Sequence, residues 1–288
     1  MIAYEIDYQR PTTVQEAVKA LGTGRDAKVL AGGHSLIPLM KLGLAQPRTL
    51  VDIGGIASLR EIRATATEIT IGALATHEQV ASHAAIAKSL AALSDAAASV
   101  GDVQVRARGT VGGSLSHADP AADEPAAILA LDATLVAVGP KGERTIKAAE
   151  FFKGTFETAL APDEILTQIR IPIPSGGKTG SAYRFFPHPA SGFAVVGVAV
   201  VITRGADGAI KKAQIAITGA AERPYRASAA EKTLQGTRGD AAAIAKAAGL
   251  AADRITPLDD LTATATFRKH LAGVFTKRAT SAALERAT

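Results

Sequence analysis

The sequence contains no cysteine and no tryptophan among its 288 residues, and aromatic residues make up only 4% of it. Without cysteine, the chain can form no disulfide bond, no thiolate-held iron–sulfur cluster and no thiol nucleophile. It also has no apolar stretch near the ~20 residues that a membrane-spanning helix requires. The longest apolar run, residues 193–202, has the length of a strand or of a short buried helix. Since the N-terminal segment is polar and unlike a signal peptide, we expect a soluble, cytoplasmic protein.

The charge balance is basic, with a formal net charge of +5 and an isoelectric point near 9.4. Such a balance is compatible with binding to nucleic acid or another polyanion. The lysine and arginine residues are scattered, however, and rarely stand beside aromatic residues. A solvated basic surface explains this pattern better, so we expect no nucleic-acid partner. A basic nucleic-acid-binding or scaffold protein is the alternative from another functional class.

Residues 1–53 predict a small α/β unit. Thr13 and Glu16 stand in the capping-box arrangement, ahead of an apolar helical face that stops at Gly22. Two short apolar strands follow, over residues 28–31 and 49–53. The order strand–helix–strand within so short a segment favours a compact α/β arrangement.

Residues 54–177 predict a second unit of mixed helices and strands. Thr76 and Gln79 can cap a helix over residues 77–83. The other predicted elements are a strand over 68–72, an alanine-rich helix over 85–100, a helix over 124–131, a hairpin that turns at 139–142 and a strand over 164–173.

A segment rich in Pro, Gly and Ser, residues 172–182, is the best candidate for a linker. The elements predicted beyond it are a hairpin of strands 194–203 and 213–218, and helices over 227–234, 241–250 and 267–284. We therefore predict an α+β fold in three domains, 1–53, 54–177 and 178–288, the last with an antiparallel sheet and helices.

Two glycine-rich segments stand out, AGGHS at residues 31–35 and GTVGGS at residues 109–114. Paired glycines occur where the backbone needs a positive φ or where another group approaches it closely, so an ordinary tight turn is one explanation. Backbone N–H groups in such loops can also bind phosphate, and two loops could engage both phosphates of a pyrophosphate. On that interpretation a Cβ at Gly33 or Gly112 would stand between backbone and phosphate. Neither segment matches the P-loop or the Rossmann fingerprint.

Four segments together resemble one known family. In chain order they are LAGGHSLIPLMKLGLAQPRTLVDIGGI, ITIGALATH, VQVRARGTVGGSLSHADPAADEPA and YRFFPHPASGFAVVGVAV. They resemble the FAD-binding medium subunit of the molybdenum hydroxylases, the family of xanthine dehydrogenase and aerobic carbon monoxide dehydrogenase, and most of all the latter type. The resemblance covers essentially the whole chain. It implies a two-part FAD-binding fold of the PCMH type, with FAD in the cleft between the first two domains, and a C-terminal domain like that of the CO dehydrogenase flavoprotein.

The resemblance also implies which residues bind FAD. Those of the first loop are Ala31, Gly32, Gly33, His34, Ser35 and Leu36. Those of the second are Gly109, Thr110, Val111, Gly112, Gly113 and Ser114, the last being Asn in many relatives. Asp119 and Asp123 match the acidic pair of the family motif, and Asp123 suits a ribityl or ring N–H group. Phe193 falls where some members place an aromatic ring against the flavin.

Other interpretations of single residues stay open. Asp119 and Asp123 can instead cap the helix that follows them, since acidic residues are common at helix starts. Phe185 is better explained by packing under the linker. The histidines do not have the spacing of a metal motif, so we predict no metal site. Because flavin chemistry belongs to the cofactor, we predict no catalytic acid or base.

The implied function is electron transfer within a larger oxidoreductase. FAD in this subunit would accept electrons from two [2Fe–2S] clusters of a small partner and pass them to an external acceptor. Substrate would be hydroxylated at the molybdenum cofactor of a large partner, in a dimer of heterotrimers. The absence of cysteine agrees with a subunit that holds no cluster. A self-sufficient flavin oxidase or diaphorase on the same fold is the alternative enzyme.

Overall fold

The computed structural model describes residues 4–287, and its N-terminal unit is a three-stranded parallel sheet with two helices. The elements are β1 (Asp7–Gln9), α1 (Val14–Thr23), β2 (Ala27–Leu30), α2 (Leu36–Lys41) and β3 (Thr49–Asp52), with the strands in the order β1-β3-β2. The capping box predicted at Thr13 and Glu16 is confirmed: each side chain accepts a hydrogen bond from the other residue's backbone N–H. Helix α1 buries Ala17, Val18 and Leu21 against this sheet's core.

The middle unit is built on a five-stranded antiparallel sheet. Its elements are β4 (Ile62–Ala64), β5 (Glu68–Gly72), α3 (His77–Ser82), α4 (Ala84–Ser89), α5 (Ala91–Ser99), α6 (Val103–Arg108), α7 (Val111–His117), α8 (Glu124–Ala130), β6 (Thr134–Gly139), β7 (Gly142–Lys147), α9 (Ala148–Phe151), β8 (Phe152–Gly154), β9 (Glu157–Thr158) and β10 (Ile165–Pro172). The sheet order is β4-β5-β10-β6-β7, and β8 pairs with β9 alone. Helix α8 is buried along its whole length.

The C-terminal unit is a four-stranded antiparallel sheet covered by three helices. Its elements are β11 (Lys178–Pro187), β12 (Ala194–Arg204), β13 (Ile210–Thr218), β14 (Tyr225–Arg226), α10 (Ser228–Leu234), α11 (Ala241–Gly249) and α12 (Ala265–Arg286). Both faces of β12 are buried, which explains why it reads as a continuous apolar run rather than an alternating one. Ala199 and Val201 face the core of the middle unit, whereas Val198 and Val200 face the helices of the C-terminal unit.

Ion pairs reinforce the contact between the middle and C-terminal units. The carboxylate of Asp95 in α5 accepts hydrogen bonds from Arg184 at 3.1 Å and Arg286 at 2.7 Å. The carboxylate of Asp132, after α8, accepts them from Lys212 at 3.0 Å and Arg226 at 2.9 Å. The two units therefore share a core and a charged rim.

The alanine-rich helix predicted over residues 85–100 is wrong as a single element. The structure has α4 and α5, separated at Leu90, whose φ of −132° and ψ of 47° are not helical. Leu90 is fully buried, and the first turn of α5 uses a distant acceptor, because Ala92 N–H donates to the hydroxyl of Ser181 at 3.0 Å. A contact across so much of the chain leaves no trace in the local pattern.

The linker predicted over residues 172–182 is confirmed only for residues 173–177, because β11 begins at Lys178. Gly180, one of the glycines in this segment, has a packing role. A Cβ at this position would stand 2.1 Å from the carbonyl oxygen of Ala283 in α12. Four short helices, α2, α6, α7 and α9, were not predicted. The remaining predicted elements are present, with ends shifted by no more than three residues. Within residues 4–287, no helix combines the length and the apolarity needed to cross a bilayer.

The contrast between two glycines tests this packing. Gly180→Ala should lower the free energy of unfolding by about 1–3 kcal/mol, the usual cost of overpacking, because α12 must move away from β11. Gly22→Ala in α1, where nothing lies within 4 Å of the added Cβ, should raise it by about 0.5–1 kcal/mol. Urea unfolding followed by circular dichroism measures both. Equal effects of the two substitutions would contradict the close approach at Gly180.

Candidate functional site

The first glycine loop lies at the carboxyl end of β2, where it leads into α2. Because the small sheet is parallel, the carboxyl ends of its strands share one edge, and open α/β sheets bind ligands at that edge. Gly33 has a φ of +78°, a conformation that residues with a Cβ rarely adopt. His34 and Ser35 are exposed, and the Nδ1 atom of His34 lies 3.2 Å from the carbonyl oxygen of Gly32.

The backbone amides of this loop are available to a ligand. In the part of the chain that the structure describes, the N–H groups of residues 32–36 donate to no atom of the protein, and Ser35 does not cap α2 with its side chain. Consecutive unused N–H groups are a suitable receptor for an anion such as a diphosphate. Leu36 is half-buried and supplies the last of these amides. The loop therefore has the hydrogen-bond donors that a diphosphate group needs.

The second glycine segment is not a loop, as the sequence suggested, but the beginning of helix α7. Thr110 is its N-cap and accepts a hydrogen bond from the N–H of Gly113 at 3.1 Å. The N–H groups of Val111 and Gly112 donate to the carbonyl oxygens of Ala75 at 3.0 Å and Ala73 at 2.9 Å. The N–H of Ser114 donates to Thr110 at 2.9 Å. The amides of residues 111–114 are thus already used.

The glycines of this segment have a packing reason that sequence reasoning missed. A Cβ at Gly112 would stand 2.5 Å from the Cβ of Ala73, and one at Gly109 would stand 2.7 Å from the ring of His77. The expectation that Gly112 is glycine to admit a phosphate is replaced by this contact with the end of β5. Gly113 is the exception, because its Cβ would meet only the hydroxyl of Thr110, at 2.8 Å, and Ala31, at 3.9 Å.

The two glycine segments touch each other, backbone against backbone. A Cβ at Gly32 would stand 2.3 Å from the carbonyl oxygen of Arg108 and 2.9 Å from the Cα of Gly109. The sequence predicted both segments in one site, and the structure brings them together. The first contributes free N–H groups, and the second contributes a rigid, internally satisfied helix start beside them.

Neither acidic residue of the motif caps a helix through its side chain. Asp119 accepts a hydrogen bond from the N–H of Ala121 at 2.8 Å, which closes a turn before α8. Asp123 stands at the N-cap of α8 but makes no capping bond; its Oδ1 accepts instead from the hydroxyl of Tyr183 in β11 at 2.6 Å. The capping alternative therefore does not explain Asp123, which links the middle unit to the C-terminal sheet.

Burial of Asp123, which is only 4% exposed, raises the pKa of its carboxyl group to about 7, although the hydrogen bond from Tyr183 acts in the opposite direction. Burial also raises the pKa of Tyr183 well above its usual range, so this hydroxyl remains the donor. The ring of Tyr183 lies over Gly197, where any Cβ would collide with it, and stacks on Phe185 at 5.8 Å. Phe185 packs against the middle core, as expected from the sequence.

A second buried pair in this region was not predicted from the sequence. The Nδ1 atom of His77 lies 2.8 Å from Oε1 of Glu124, with side-chain exposures of 5% and 0%. His77 begins α3 and Glu124 begins α8, so the partners are far apart along the chain. Both were hidden in ordinary signals: His77 follows the capping threonine Thr76, and Glu124 follows Asp123. Within the described chain, no group of three or more His, Asp or Glu side chains could hold a metal ion.

Phe193 lies at the tip between β11 and β12 and is 52% exposed. A hydrogen bond from the N–H of His188 to its carbonyl oxygen, 2.8 Å, closes this hairpin. The start of β12 is joined to the motif segment through Gly219, whose N–H donates to Pro120 at 2.8 Å and whose Cβ would stand 2.5 Å from the carbonyl oxygen of Val195. Phe193, with its exposed ring, therefore stands two residues before Val195. Val195 in turn lies against Gly219, which is hydrogen-bonded to Pro120 in the Asp119–Asp123 segment.

Comparison with known proteins gives a consistent result over the full chain. Residues 4–174 match the family described as the FAD binding domain in molybdopterin dehydrogenase, and residues 181–283 match the CO dehydrogenase flavoprotein C-terminal domain. The carbon monoxide dehydrogenase medium chain of Hydrogenophaga pseudoflava is 39% identical over 287 residues, covering 99% of both chains. The 6-hydroxypseudooxynicotine dehydrogenase complex subunit alpha of Paenarthrobacter nicotinovorans is 34% identical, covering 98% of this chain and 95% of the relative.

Solved structures agree with these sequence relatives. A chain of the Hydrogenophaga pseudoflava carbon monoxide dehydrogenase superposes with a TM-score of 0.94 at 41% identity, covering 99% of both chains. A chain of quinoline 2-oxidoreductase from Pseudomonas putida 86 superposes with a TM-score of 0.93 at 32% identity, covering 100% of this chain and 99% of its own. The protein therefore belongs to the family that carries the FAD-binding domain of molybdopterin dehydrogenases, and it is a flavoprotein subunit of an oxidoreductase with a C-terminal domain of the CO dehydrogenase flavoprotein kind.

Proposed function

We propose that this chain is the electron-transfer subunit of a molybdenum-containing hydroxylase or dehydrogenase, most similar to the medium chain of carbon monoxide dehydrogenase. The observation that carries the proposal is the row of unused N–H groups at residues 32–36, placed against Gly109 at the edge of a parallel sheet. Bound FAD supplies one- and two-electron chemistry. Held by this chain, the cofactor would supply the electron-carrying link between iron–sulfur clusters of another subunit and an external acceptor.

The residues of the chain hold and orient the cofactor. The amides of Gly32 to Leu36 bind the diphosphate, and each hydrogen bond to such a charged group contributes about 1.5–3 kcal/mol. The amides of residues 111–114 are already hydrogen-bonded, so the second glycine segment contributes the hydroxyl groups of Thr110 and Ser114 instead. Asp123 is the acceptor for a ribityl or ring N–H group, and Phe193 lies against one face of the flavin.

The proposed partners are a large subunit with the molybdenum cofactor and a small subunit with two [2Fe–2S] clusters, in a dimer of heterotrimers. The names of the relatives support a multi-subunit enzyme, since they are called medium chain or subunit of a dehydrogenase complex. The cysteine-free sequence supports the same division, because it supplies no thiolate for a cluster. We also propose the domain division 1–53, 54–177 and 178–288, in which the first glycine loop comes from the first domain and Thr110 from the second.

A carboxylate placed beside the free amides tests diphosphate binding without disturbing the fold. Ser35→Asp keeps a favoured N-cap residue on α2, so stability should be unchanged or slightly higher. Its charge should weaken FAD binding by about 1–4 kcal/mol, the repulsion of two charges about 4 Å apart near a protein surface. Thr264→Asp at the N-cap of α12 is the matched control. FAD content per folded chain is measured by absorbance, and full occupancy in Ser35→Asp would contradict the proposal.

Removal of an exposed ring tests the place of Phe193. Phe193→Ala should weaken FAD binding by about 0.5–1.5 kcal/mol, the contribution of an aromatic contact beyond its area, and should reduce the quenching of flavin fluorescence. Because the ring is 52% exposed, stability should change little. Phe267→Ala on α12, whose ring is 42% exposed, is the control. If affinity and fluorescence match those of the unmodified chain, Phe193 does not contact the flavin.

The chain freed of all other subunits should oxidise no hydroxylase substrate, because it lacks cysteine ligands for clusters and holds no pterin partner. It should still pass electrons from a chemical reductant through FAD to an artificial dye. Dye reduction is followed with carbon monoxide, an aldehyde, a purine or an N-heterocycle as donor, and the rate without protein is subtracted. Substrate-dependent reduction by the chain alone would instead favour the self-sufficient oxidase.

A further inference from the structure

The buried pair of His77 and Glu124 lies between the two motif segments of the second unit. The N–H of His77 donates to the carbonyl oxygen of Gly109 at 3.1 Å, and its ring packs on the same glycine, with Cδ2 2.7 Å from the position of a Cβ there. Glu124 directly follows Asp123 and is fully buried. One interaction thus joins the segment that touches the first glycine loop to the segment that carries Asp123.

The pair is not arranged for stability alone. Oε1 of Glu124 has His77 as its partner, whereas Oε2 is buried without a hydrogen bond. A buried carboxylate with an unused oxygen is costly, and an apolar pair of similar volume is often at least as stable. A buried polar atom without a hydrogen bond in a native structure calls for an explanation. Because Glu124 is the chain neighbour of Asp123, the positioning of Asp123 is such an explanation.

We propose that His77 and Glu124 are positioning residues for FAD, which hold the Gly109 segment and Asp123 in the geometry that binds the cofactor. This inference rests on the proposed function, because it concerns the same site. His77 acts through Gly109 and the adjoining contact with Gly32, and Glu124 acts through the start of α8. Neither side chain needs to touch the cofactor.

The charges around His77 make the strength of the His77–Glu124 interaction depend on pH. Burial alone lowers the pKa of His77, but the charge and hydrogen bond of Glu124, with a smaller effect of Asp123, raise it above 6.5, and Arg106 opposes them weakly. On α3 itself, Glu78 pairs with Arg106 at 3.3 Å. A raised histidine pKa means that the pair stabilises the fold at pH values below 6.5 and loses this contribution as the pH rises through the folded-state pKa. FAD affinity should likewise fall as the pH rises.

The test is the dissociation constant of FAD from about pH 6 to about pH 9, measured by flavin fluorescence on the full chain as purified, with any co-purifying subunits retained. Glu124→Gln should weaken FAD binding about tenfold at the acidic end, within the range of coupling in one hydrogen-bonded network. Its difference from the unmodified chain should narrow as the pH rises through the folded-state pKa of His77, which is raised above 6.5. Because the charge of Glu124 also raises the pKa of Asp123, the comparison reports the effect of the pair together with its effect on Asp123.

Two further variants separate positioning from simple destabilisation. The double variant His77→Gln with Glu124→Gln replaces the ion pair by two amides that can hydrogen-bond, so it should recover most of the affinity and show a smaller pH dependence. Glu231→Gln removes another buried carboxylate, which accepts from Arg226 and from the N–H of Ile215 far from the glycine segments. It should lower the thermal midpoint and leave the FAD profile unchanged.

The outcomes are distinct. If folded Glu124→Gln binds FAD as the unmodified chain does at every pH, the pair has only a structural role and the inference is overturned. If Glu231→Gln changes the profile as much as Glu124→Gln, the effect is general destabilisation, and the inference is overturned as well. If the unmodified chain binds no FAD at any pH, the proposed function fails first, before the variants are compared.

Discussion

The approach of Gly32 to the backbone of Arg108 and Gly109 is the constraint on which the site depends. No side chain fits between these segments, so the first and second units meet at a fixed distance. The contact places the free amides of residues 32–36 next to a helix start whose own amides are satisfied. The two segments therefore differ in role. The amides of residues 32–36 remain open to a ligand, whereas the start of α7 is rigid because its hydrogen bonds are complete.

The C-terminal sheet supports this arrangement from behind. Its strand β12 sends side chains into both cores, and Tyr183 donates to Asp123 across the boundary between units. The geometry of Asp123 therefore depends on β11 as much as on its own helix. In the proposed site, the C-terminal sheet therefore has an indirect role: Tyr183 holds the carboxyl group of Asp123 in place, and burial raises the pKa of that group to about 7.

Local signals in the sequence predicted what local forces determine. The capping boxes at Thr13 and Thr76 are confirmed because each depends on neighbours within a few residues, and the apolar run of β12 is confirmed because burial of both strand faces leaves a continuous apolar pattern. The helical start at Thr110 was missed because Gly112 and Gly113 disfavour a helix, and only the proximity of Ala73 requires a residue without a side chain.

The other errors also came from contacts that are distant along the chain. The break at Leu90 goes with a hydrogen bond to Ser181, and the strand β11 with a close approach to α12. The pair of His77 and Glu124 joins two helix starts that no motif connects. The resemblance identified the family and the cofactor, which the comparisons confirm, whereas the roles of single residues depend on geometry that one-dimensional patterns do not contain.

The order of strands in the middle sheet has a consequence for how the protein forms. Strand β10 lies between β5 and β6, yet it is synthesised after both. Until it emerges, β5 and β6 each present an unpaired edge, and edges of this kind invite pairing with other chains. The hydrogen bond from Ala92 in the first turn of α5 forms later still, because its acceptor, Ser181, is synthesised after β10. Closing such long loops is slow, so a nascent chain passes through a stage in which half of its polypeptide exists but its central sheet does not. Assembly of this subunit is therefore exposed to aggregation until β10 has paired with both of its neighbours.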